Sequence, residues 1–226
     1  MRDVAATGIK GFDELIGGGF SRGSIINVTG PTGSGKTIFA GQFIYNGLKM
    51  GEGGMYISFA ERKRTFFRNF AKFGWDLSSY EKEKKFVFLE FPISEISNFR
   101  QQENSFFNMI ISLGIERIVI DPITPLALLY ENEVKRFQEL LALINMLRGW
   151  GTTNIIVSEP EKIRPIGLVP IVDGVIELNR ERRKGYRIRT IEILKMHGVA
   201  YSEKICPFKI GKKGIVVYPN QFLYYD

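Results

Sequence analysis

A glycine-rich segment near the start of the chain places the strongest constraint on its fold. Residues 30–37 read Gly-Pro-Thr-Gly-Ser-Gly-Lys-Thr, the complete G-x-x-x-x-G-K-[ST] pattern of a phosphate-binding (Walker A) loop. The apolar run 24–29 precedes the loop, and a segment of helical periodicity follows it. Because this loop joins a strand to a helix, the context predicts a strand–loop–helix unit within an α/β fold.

Each part of the loop has its own role in binding phosphate. The glycines let successive backbone N–H groups point into one anion site, and the positive end of the following helix adds to that field. Lys36 would reach the outer phosphates, and the Thr37 hydroxyl would bind Mg²⁺. The alternative is a glycine-rich turn that binds nothing. The predicted nucleotide-binding residues are Gly30, Pro31, Thr32, Gly33, Ser34, Gly35, Lys36 and Thr37.

Composition narrows the class of protein further. A chain of 226 residues that is 44% hydrophobic can bury one large core, so we expect a single domain over residues 1–226. Its one cysteine, Cys206, excludes an internal disulfide, and no apolar run approaches membrane-spanning length. We therefore expect a cytoplasmic protein without a membrane segment. The formal charge of +7 favours polyanions, but in a phosphate-binding protein it is weak evidence for DNA.

Short apolar runs alternate with segments of helical period through the first two-thirds of the chain, which predicts a mostly parallel sheet with helices on both faces. After Ser158 the pattern changes to strands separated by turns, which predicts antiparallel hairpins extending the sheet. Predicted strands are 25–29, 55–59, 86–91, 117–121, 154–158, 174–179, 187–195, 205–210 and 215–218, and predicted helices are 37–50, 63–73, 103–113 and 134–150. The expected core-facing stripe of the last helix is Phe137, Leu140, Leu141, Ile144, Met146 and Leu147.

A second chemical element lies about eighty residues after the loop. Residues 117–121 form an apolar run that ends in Asp121, which is the shape of a Walker B strand. Its carboxylate would hold Mg²⁺ through a water, since magnesium usually keeps several waters. Alone the pattern is weak, because apolar strands ending in Asp are common in α/β proteins. Its pairing with a complete Walker A loop favours the metal role.

Several longer segments resemble the KaiC/RadA branch of RecA-type ATPases. They are residues 7–20 (TGIKGFDELIGGGF), 22–24 (RGS), 56–59 (YISF), 73–77 (FGWDL), 173–176 (DGVI) and 194–198 (LKMHG), and they cover nearly the whole chain in the family's order. The resemblance implies a RecA-like P-loop ATPase that binds ATP and Mg²⁺. It also implies a homo-oligomer, usually a ring of six subunits, with ATP at each subunit boundary. It leaves any other protein partner unidentified.

The chain departs from this family at the residue that polarises the attacking water. The resemblance implies a glutamate there, commonly the first of a Glu-Glu pair, whereas this chain has Ala60-Glu61. A positioned general base contributes ~10²–10⁴-fold to a rate, so its loss would leave tight binding and slow hydrolysis. Glu61 is either a substitute base, reached by a small shift of the loop, or a solvated loop carboxylate.

Two further positions are assigned roles by the resemblance. Lys195 matches the lysine that reaches the γ-phosphate bound to the neighbouring subunit, where a cation neutralises charge on the transferring group. The family's arginine two residues later is His197 here, which is either a catalytic residue without a fixed charge or a surface turn residue. Ser158 matches the polar residue that senses the γ-phosphate and relays it to the next loop.

Nucleic-acid binding is an alternative that the sequence does not favour. The loop 159–172 carries Lys162 and Arg164 but no aromatic residue, whereas single-strand binders combine cations with aromatic stacking. The basic segment 180–189, with Tyr186 near its centre, is either a nucleic-acid contact or a hairpin that pairs with the adjacent subunit or its phosphates. Three classes of function remain: a slowly hydrolysing oligomeric nucleotide switch, a DNA-dependent recombinase-type ATPase, and an ATP-dependent assembly module with negligible hydrolysis.

Overall fold

A nine-stranded sheet runs through the computed structural model, which describes residues 3–92, 95, 98–160, 167–183 and 185–221. Its strand order is β11-β10-β9-β8-β3-β7-β6-β4-β5, and a separate two-stranded sheet pairs β1 with β2. The strands are β1 (Val4–Ala5), β2 (Phe20–Ser21), β3 (Ile25–Thr29), β4 (Gly53–Ser58), β5 (Phe86–Glu90), β6 (Ile115–Asp121), β7 (Thr153–Ser158), β8 (Gly174–Arg183), β9 (Tyr186–Met196), β10 (Cys206–Gly211) and β11 (Gly214–Val217). The helices are α1 (Lys36–Lys49), α2 (Lys63–Ala71), α3 (Leu77–Lys82), α4 (Glu103–Leu113), α5 (Thr124–Leu128) and α6 (Glu133–Gly149).

The sheet is parallel on one side and antiparallel on the other. Neighbours from β5 to β8 pair in parallel, whereas β8, β9, β10 and β11 pair antiparallel. The turn between β10 and β11 lies between the register partners Gly211 and Gly214, as predicted. This arrangement confirms the predicted mostly parallel α/β sheet with C-terminal antiparallel hairpins. One detail differs, since β8 pairs in parallel with β3 before it turns into its hairpin.

Helices cover both faces of the sheet, and each face has its own apolar core. One core joins α1 and α2 to the sheet through side chains such as Phe43 and Phe66, and the other joins α4 and α6 through Phe106 and Ile144. Because side chains alternate along a strand, a central parallel strand must be apolar on both faces. All five residues of β3 are accordingly buried.

The structure corrects some local predictions. Phe137, expected to face the core, is 37% exposed and Leu141 is only partly buried, whereas the unpredicted Leu143 is fully buried. The buried face of α6 follows positions 136, 140, 143, 144 and 147, so Phe137 and Leu141 each lie one position beyond it around the helix. Two short helices, α3 and α5, were not predicted, because neither is long enough to show an apolar period. No helix in the described ranges has the length and apolar character needed to cross a bilayer.

Buried ion pairs at the amino edge of the parallel strands join the N-terminal segment to the sheet. Arg117 on β6 and Arg22 each donate to Glu52 at 2.5 Å, and Arg117 also donates to the carbonyl oxygens of Ala6 and Phe43. Burial opposes ionisation of Glu52, but the hydrogen bonds from the two arginines outweigh it and lower the pKa of the carboxyl. The functional residues predicted above lie mostly at the opposite edge, where the parallel strands end.

Candidate nucleotide site

The Walker A loop connects the end of β3 to the first turn of α1, at the centre of the sheet. Gly30 has φ 149°, and a Cβ there would lie 2.0 Å from the carbonyl oxygen of Leu178 on β8. Gly35 precedes α1 with φ 116°. Both positions therefore require glycine, one for close approach and one for backbone conformation. The loop opens onto the N-terminus of a 14-residue helix, where backbone N–H groups favour an anion.

Lys36 turns back into the loop that it follows. Its Nζ donates to the carbonyl oxygens of Gly30 at 2.6 Å and Pro31 at 3.2 Å. Burial lowers the pKa of Lys36, and the charges of Glu159 and Asp121 oppose this shift. Ser34 Oγ is buried and, within the described part of the chain, has no hydrogen-bond partner. A half-buried ammonium and a spare hydroxyl beside free helix N–H groups fit the phosphates of a nucleotide.

Thr37, Asp121 and Tyr56 lie together beside the loop. The carboxylate of Asp121 accepts a hydrogen bond of 2.5 Å from Tyr56 Oη, and the side chain of Thr37 lies close to it. Burial raises the pKa of Asp121, whereas the Tyr56 hydrogen bond, the Thr37 side chain and the charge of Lys36 oppose this rise. Burial, together with the Asp121 carboxylate, also raises the pKa of the Tyr56 phenol well above its ordinary value. A hydroxyl and a carboxylate next to a phosphate site are the oxygen ligands that suit Mg²⁺.

Glu61 and Thr37 line the same cavity, which has a volume of about 310 Å³. Its Oε1 accepts a hydrogen bond of 2.9 Å from Asn69 Nδ2 on α2. Burial raises the pKa of Glu61, the Asn69 hydrogen bond opposes this, and the charge of Asp121 adds to it. Ala60 is exposed. Glu61 is therefore a half-buried, oriented carboxylate, and this geometry favours the substitute-base interpretation over a solvated loop residue.

Glu61 also lines a second, larger cavity at the carboxyl edge of β4 and β5. This cavity has a volume of about 730 Å³, and Glu90, the last residue of β5, lies across it. Glu90 accepts a hydrogen bond from the backbone N–H of Lys63, at the start of α2. Glu61 is the carboxylate common to both cavities.

Ser158 and Lys195 lie at different places on the sheet. Ser158 is fully buried at the end of β7, and its hydroxyl donates to Asn27 Oδ1 at 2.9 Å. Lys195 pairs with Val175 near the start of β8, whereas the loop contacts Leu178 further along that strand. Its Nζ donates to the carbonyl oxygens of Val169 and Val172 of its own chain. His197 is exposed at the turn that follows β9.

The basic hairpin of β8 and β9 contacts the loop of its own chain, which the sequence did not indicate. Arg180 and Arg189 are register partners across the hairpin. Arg189 Nη2 lies 3.4 Å from the carbonyl oxygen of Gly33, and Arg180 Nη1 lies 2.9 Å from where a Gly33 Cβ would be. Their Nε atoms are buried and lack a partner among the described residues. Burial lowers the pKa of Arg189, and the neighbouring arginines Arg180 and Arg187 add to this shift.

Some residues considered above cannot be placed. Lys162, Arg164 and Lys184, and the side chain of Arg183, lie outside the described residues. Nearer the tip of the hairpin, Arg182, Tyr186 and Arg187 are exposed.

Among the described residues, no group of three or more His, Cys, Asp or Glu side chains could hold a metal. A magnesium ion that shares its ligands with nucleotide phosphates needs only one or two protein carboxylates.

The family model of the KaiC ATPase matches residues 5–222, which include the Walker A loop, Asp121 and the C-terminal hairpins. The chain belongs to the KaiC ATPase family. Membership assigns ATP as the nucleotide of the loop, and Mg²⁺ is its usual companion. Within this family, the chain is similar to a crystal structure titled as the KaiC-like protein PH0186 of Pyrococcus horikoshii, with 40% identity and a TM-score of 0.86 over 96% of this chain and 99% of that one.

Curated relatives of this KaiC family chain span almost the same length. It is 32% identical to the UPF0273 protein PH0284 of Pyrococcus horikoshii, over 96% of this chain and 94% of the relative. It is 31% identical to a UPF0273 protein of Thermotoga maritima, over 95% and 96% of the two chains. The resemblance deduced from the sequence motifs is thus confirmed, and so is the RecA-like fold.

Proposed function

We propose that this protein is a slowly hydrolysing ATPase that acts as an oligomeric, nucleotide-dependent switch. The observation that carries the proposal is the convergence of Thr37, Asp121 and Glu61 beside the Walker A loop. The first two offer oxygen ligands for a metal, and the third offers a carboxylate for a water. A protein that only bound nucleotide would have no need of an oriented carboxylate at that place.

Each residue of the site has a separate role in ATP binding and hydrolysis. The loop N–H groups and Lys36 bind the phosphates, and Lys36 exchanges the carbonyl oxygens of Gly30 and Pro31 for phosphate oxygens. When bound, Mg²⁺ would neutralise the charge that develops on the transferring phosphoryl group. Thr37 and Asp121 would hold it. Glu61 accepts a proton from the attacking water, whose oxygen bonds to the γ-phosphorus as the bond to the leaving ADP oxygen breaks.

Two features support a slow reaction. Glu61 stands one residue after the usual position of the base, and its reach is fixed by the hydrogen bond from Asn69. His197 takes the place of the arginine that the family resemblance implies two residues after Lys195, so the guanidinium is missing there. Slow turnover gives a long-lived ATP state, which is what a switch requires, whereas a motor requires fast cycling.

We propose that oligomerisation completes the site. We infer that Lys195, which pairs with Val175 near the start of β8 and donates to carbonyl oxygens of its own chain there, acts on a γ-phosphate bound to a neighbouring subunit. Each chain would contribute one ATPase domain over residues 1–226 to a homo-oligomeric ring, with six subunits as the family resemblance implies. Ser158, buried against Asn27, would couple the phosphate site to the loop after β7. We place the protein in the cytoplasm, where the buried thiol of Cys206 stays reduced.

A DNA-dependent ATPase is the second candidate, and one observation favours it. Tyr186 is 77% exposed near the tip of the hairpin, where it could stack on a base, and Arg182 and Arg187 lie beside it. The third candidate is an assembly module with negligible turnover. It is favoured by Ala60, which stands where the family resemblance implies the catalytic glutamate.

Steady-state hydrolysis of Mg²⁺-ATP, with and without single-stranded DNA and at low and high salt, separates the three candidates. We expect a slow rate that is indifferent to DNA and is lost in Lys36→Ala. Salt-sensitive stimulation by DNA would favour the recombinase-type function over the switch, because binding to the phosphate backbone of DNA weakens steeply with salt. ATP binding without measurable turnover would leave the assembly module.

A further inference from the structure

Tyr56 is a buried phenol that the proposed reaction does not use. It lies on β4 opposite Val119 of β6, two residues before the register pair Ser58 and Asp121. Tyr56 and Asp121 therefore lie on the same face of adjacent parallel strands, displaced along the strand direction. A tyrosine side chain is long enough to cross that displacement, and its Oη donates to Asp121 Oδ2 at 2.5 Å.

Packing holds the phenol ring in place. Tyr56 is 1% exposed, and its ring centroid lies 4.4 Å from that of Phe66 on α2 and 5.8 Å from that of Phe88 on β5. A ring packed against two aromatic side chains that also contact each other cannot swing to another partner without repacking the core. The position of the hydroxyl relative to Asp121 is therefore set by the sheet and by α2.

The hydroxyl is not explained by core packing. A phenylalanine would fill the same aromatic cluster without a polar atom to bury, and burying a hydroxyl is unfavourable unless it is hydrogen-bonded. Tyr56 Oη meets this requirement by donating to the carboxylate of the Walker B strand. Asp121 is itself only 7% exposed, so each donor has a large influence on where its oxygens point.

We propose that Tyr56 is a positioning residue for the metal site: its hydroxyl fixes Asp121 Oδ2 and so orients the carboxylate toward Thr37 and the magnesium ion. The inference rests on the proposed metal role of Asp121. Outer partners that orient a metal ligand commonly contribute ~10–100-fold to metal affinity or activity. Because burial also restricts the Asp121 side chain, loss of Tyr56 Oη leaves the carboxylate partly held, and the effect falls at the lower end of that range.

The test is Tyr56→Phe, which removes one oxygen and keeps the ring. Equilibrium binding of a fluorescent ADP analogue is measured in EDTA and then at increasing Mg²⁺ concentration, with no turnover required. We expect the Mg²⁺ concentration for half-maximal effect to rise about tenfold, while affinity in EDTA stays at the wild-type value. Tyr45→Phe is the matched control, because Tyr45 lies near the C-terminal end of α1, away from the loop, where its hydroxyl donates to the carbonyl oxygen of Gly74.

Asp121→Asn separates failure of this inference from failure of the metal assignment. If Asp121→Asn abolishes the Mg²⁺ effect and Tyr56→Phe leaves it unchanged or strengthens it, Tyr56 does not position the carboxylate and the inference is wrong. If Asp121→Asn itself leaves the Mg²⁺ effect intact, the metal role of Asp121 is wrong, and the inference fails with it. A merely structural role of Tyr56 would change affinity in EDTA and in Mg²⁺ alike.

Discussion

Replacement of Glu61 by glutamine tests the step on which the proposed function depends. Glutamine keeps the length of the side chain, and its Oε1 can still accept the hydrogen bond from Asn69. The loop and the metal side of the site are untouched, so ATP affinity should be retained. What disappears is the proton acceptor, which is expected to slow hydrolysis by ~10²–10⁴-fold. This loss corresponds to ~2.7–5.5 kcal/mol of activation free energy, at ~1.36 kcal/mol for each factor of ten.

The pH dependence adds a second check on the same residue. Burial raises the pKa of Glu61, with Asp121 adding to the shift. A general base acts only when deprotonated, so hydrolysis should fall as the pH is lowered through a pKa above the ordinary glutamate value of about 4.3. The residual rate of Glu61→Gln should not show this fall at low pH.

Single-turnover hydrolysis of radiolabelled ATP is the suitable assay, because it measures slow chemistry without interference from product release. Glu90→Gln is the matched control, since it removes a carboxylate from the larger cavity that Glu61 also lines but lies on the neighbouring strand. We expect Glu90→Gln to hydrolyse at the wild-type rate. If Glu61→Gln hydrolyses ATP as fast as wild type and shows the same fall in rate at low pH, the assignment of Glu61 as the base is refuted.

Three further predictions concern stability, assembly and the hairpin. Glu52→Gln should lower the free energy of unfolding in urea by ~3 kcal/mol, because it leaves the buried Arg117 without its charge partner, and Glu52→Gln/Arg117→Met should recover part of the loss. Since the folded pKa of Glu52 is lowered, its contribution is present above the unfolded pKa and disappears as the pH falls through the folded one. Lys195→Ala should abolish hydrolysis. Mixing it with Lys36→Ala should restore activity, because a mixed oligomer contains sites with Lys36 from one subunit and Lys195 from its neighbour. A rate equal to wild type for Lys195→Ala alone would contradict a role across the interface. Arg189→Gln should weaken ADP binding about tenfold in equilibrium titrations at low salt, as hydrogen bonds to charged groups contribute ~1.5–3 kcal/mol; unchanged affinity would exclude the hairpin from the site.

The sequence predicted the parallel part of the fold because the strongest signals there are local. The strand 25–29, the loop and the following helix are adjacent in the chain, and their pattern can be read without knowledge of the rest. The short helices α3 and α5 carry no such pattern and were missed. Phe137 was misassigned because the buried face of α6 begins with Arg136, a charged residue that an apolar pattern does not mark.

The site was predictable only where a residue belongs to a contiguous motif. The loop and Asp121 follow from spacing, whereas the contact between Tyr56 and Asp121 joins residues 65 positions apart and depends on the register of two strands. The contacts of Arg180 and Arg189 with Gly33 likewise require the pairing of β8 with β3 and β9. Register of this kind depends on contacts between segments far apart in the chain, so local sequence patterns do not reveal it.

Helix α2 contacts the groups that hold both carboxylates of the proposed site. Phe66 packs on the ring of Tyr56, which holds Asp121, and Asn69, one turn further along the same helix, holds Glu61. A displacement of α2 would therefore move the metal-side and water-side carboxylates together. Phe70 of α2 packs against Gly41 of α1, but the Walker A loop itself joins β3 to the first turn of α1, so a small displacement of α2 would leave phosphate binding in place. An oligomer that shifts α2 could thus change the rate of hydrolysis without releasing the nucleotide, which is the property that distinguishes a switch from a simple ATPase.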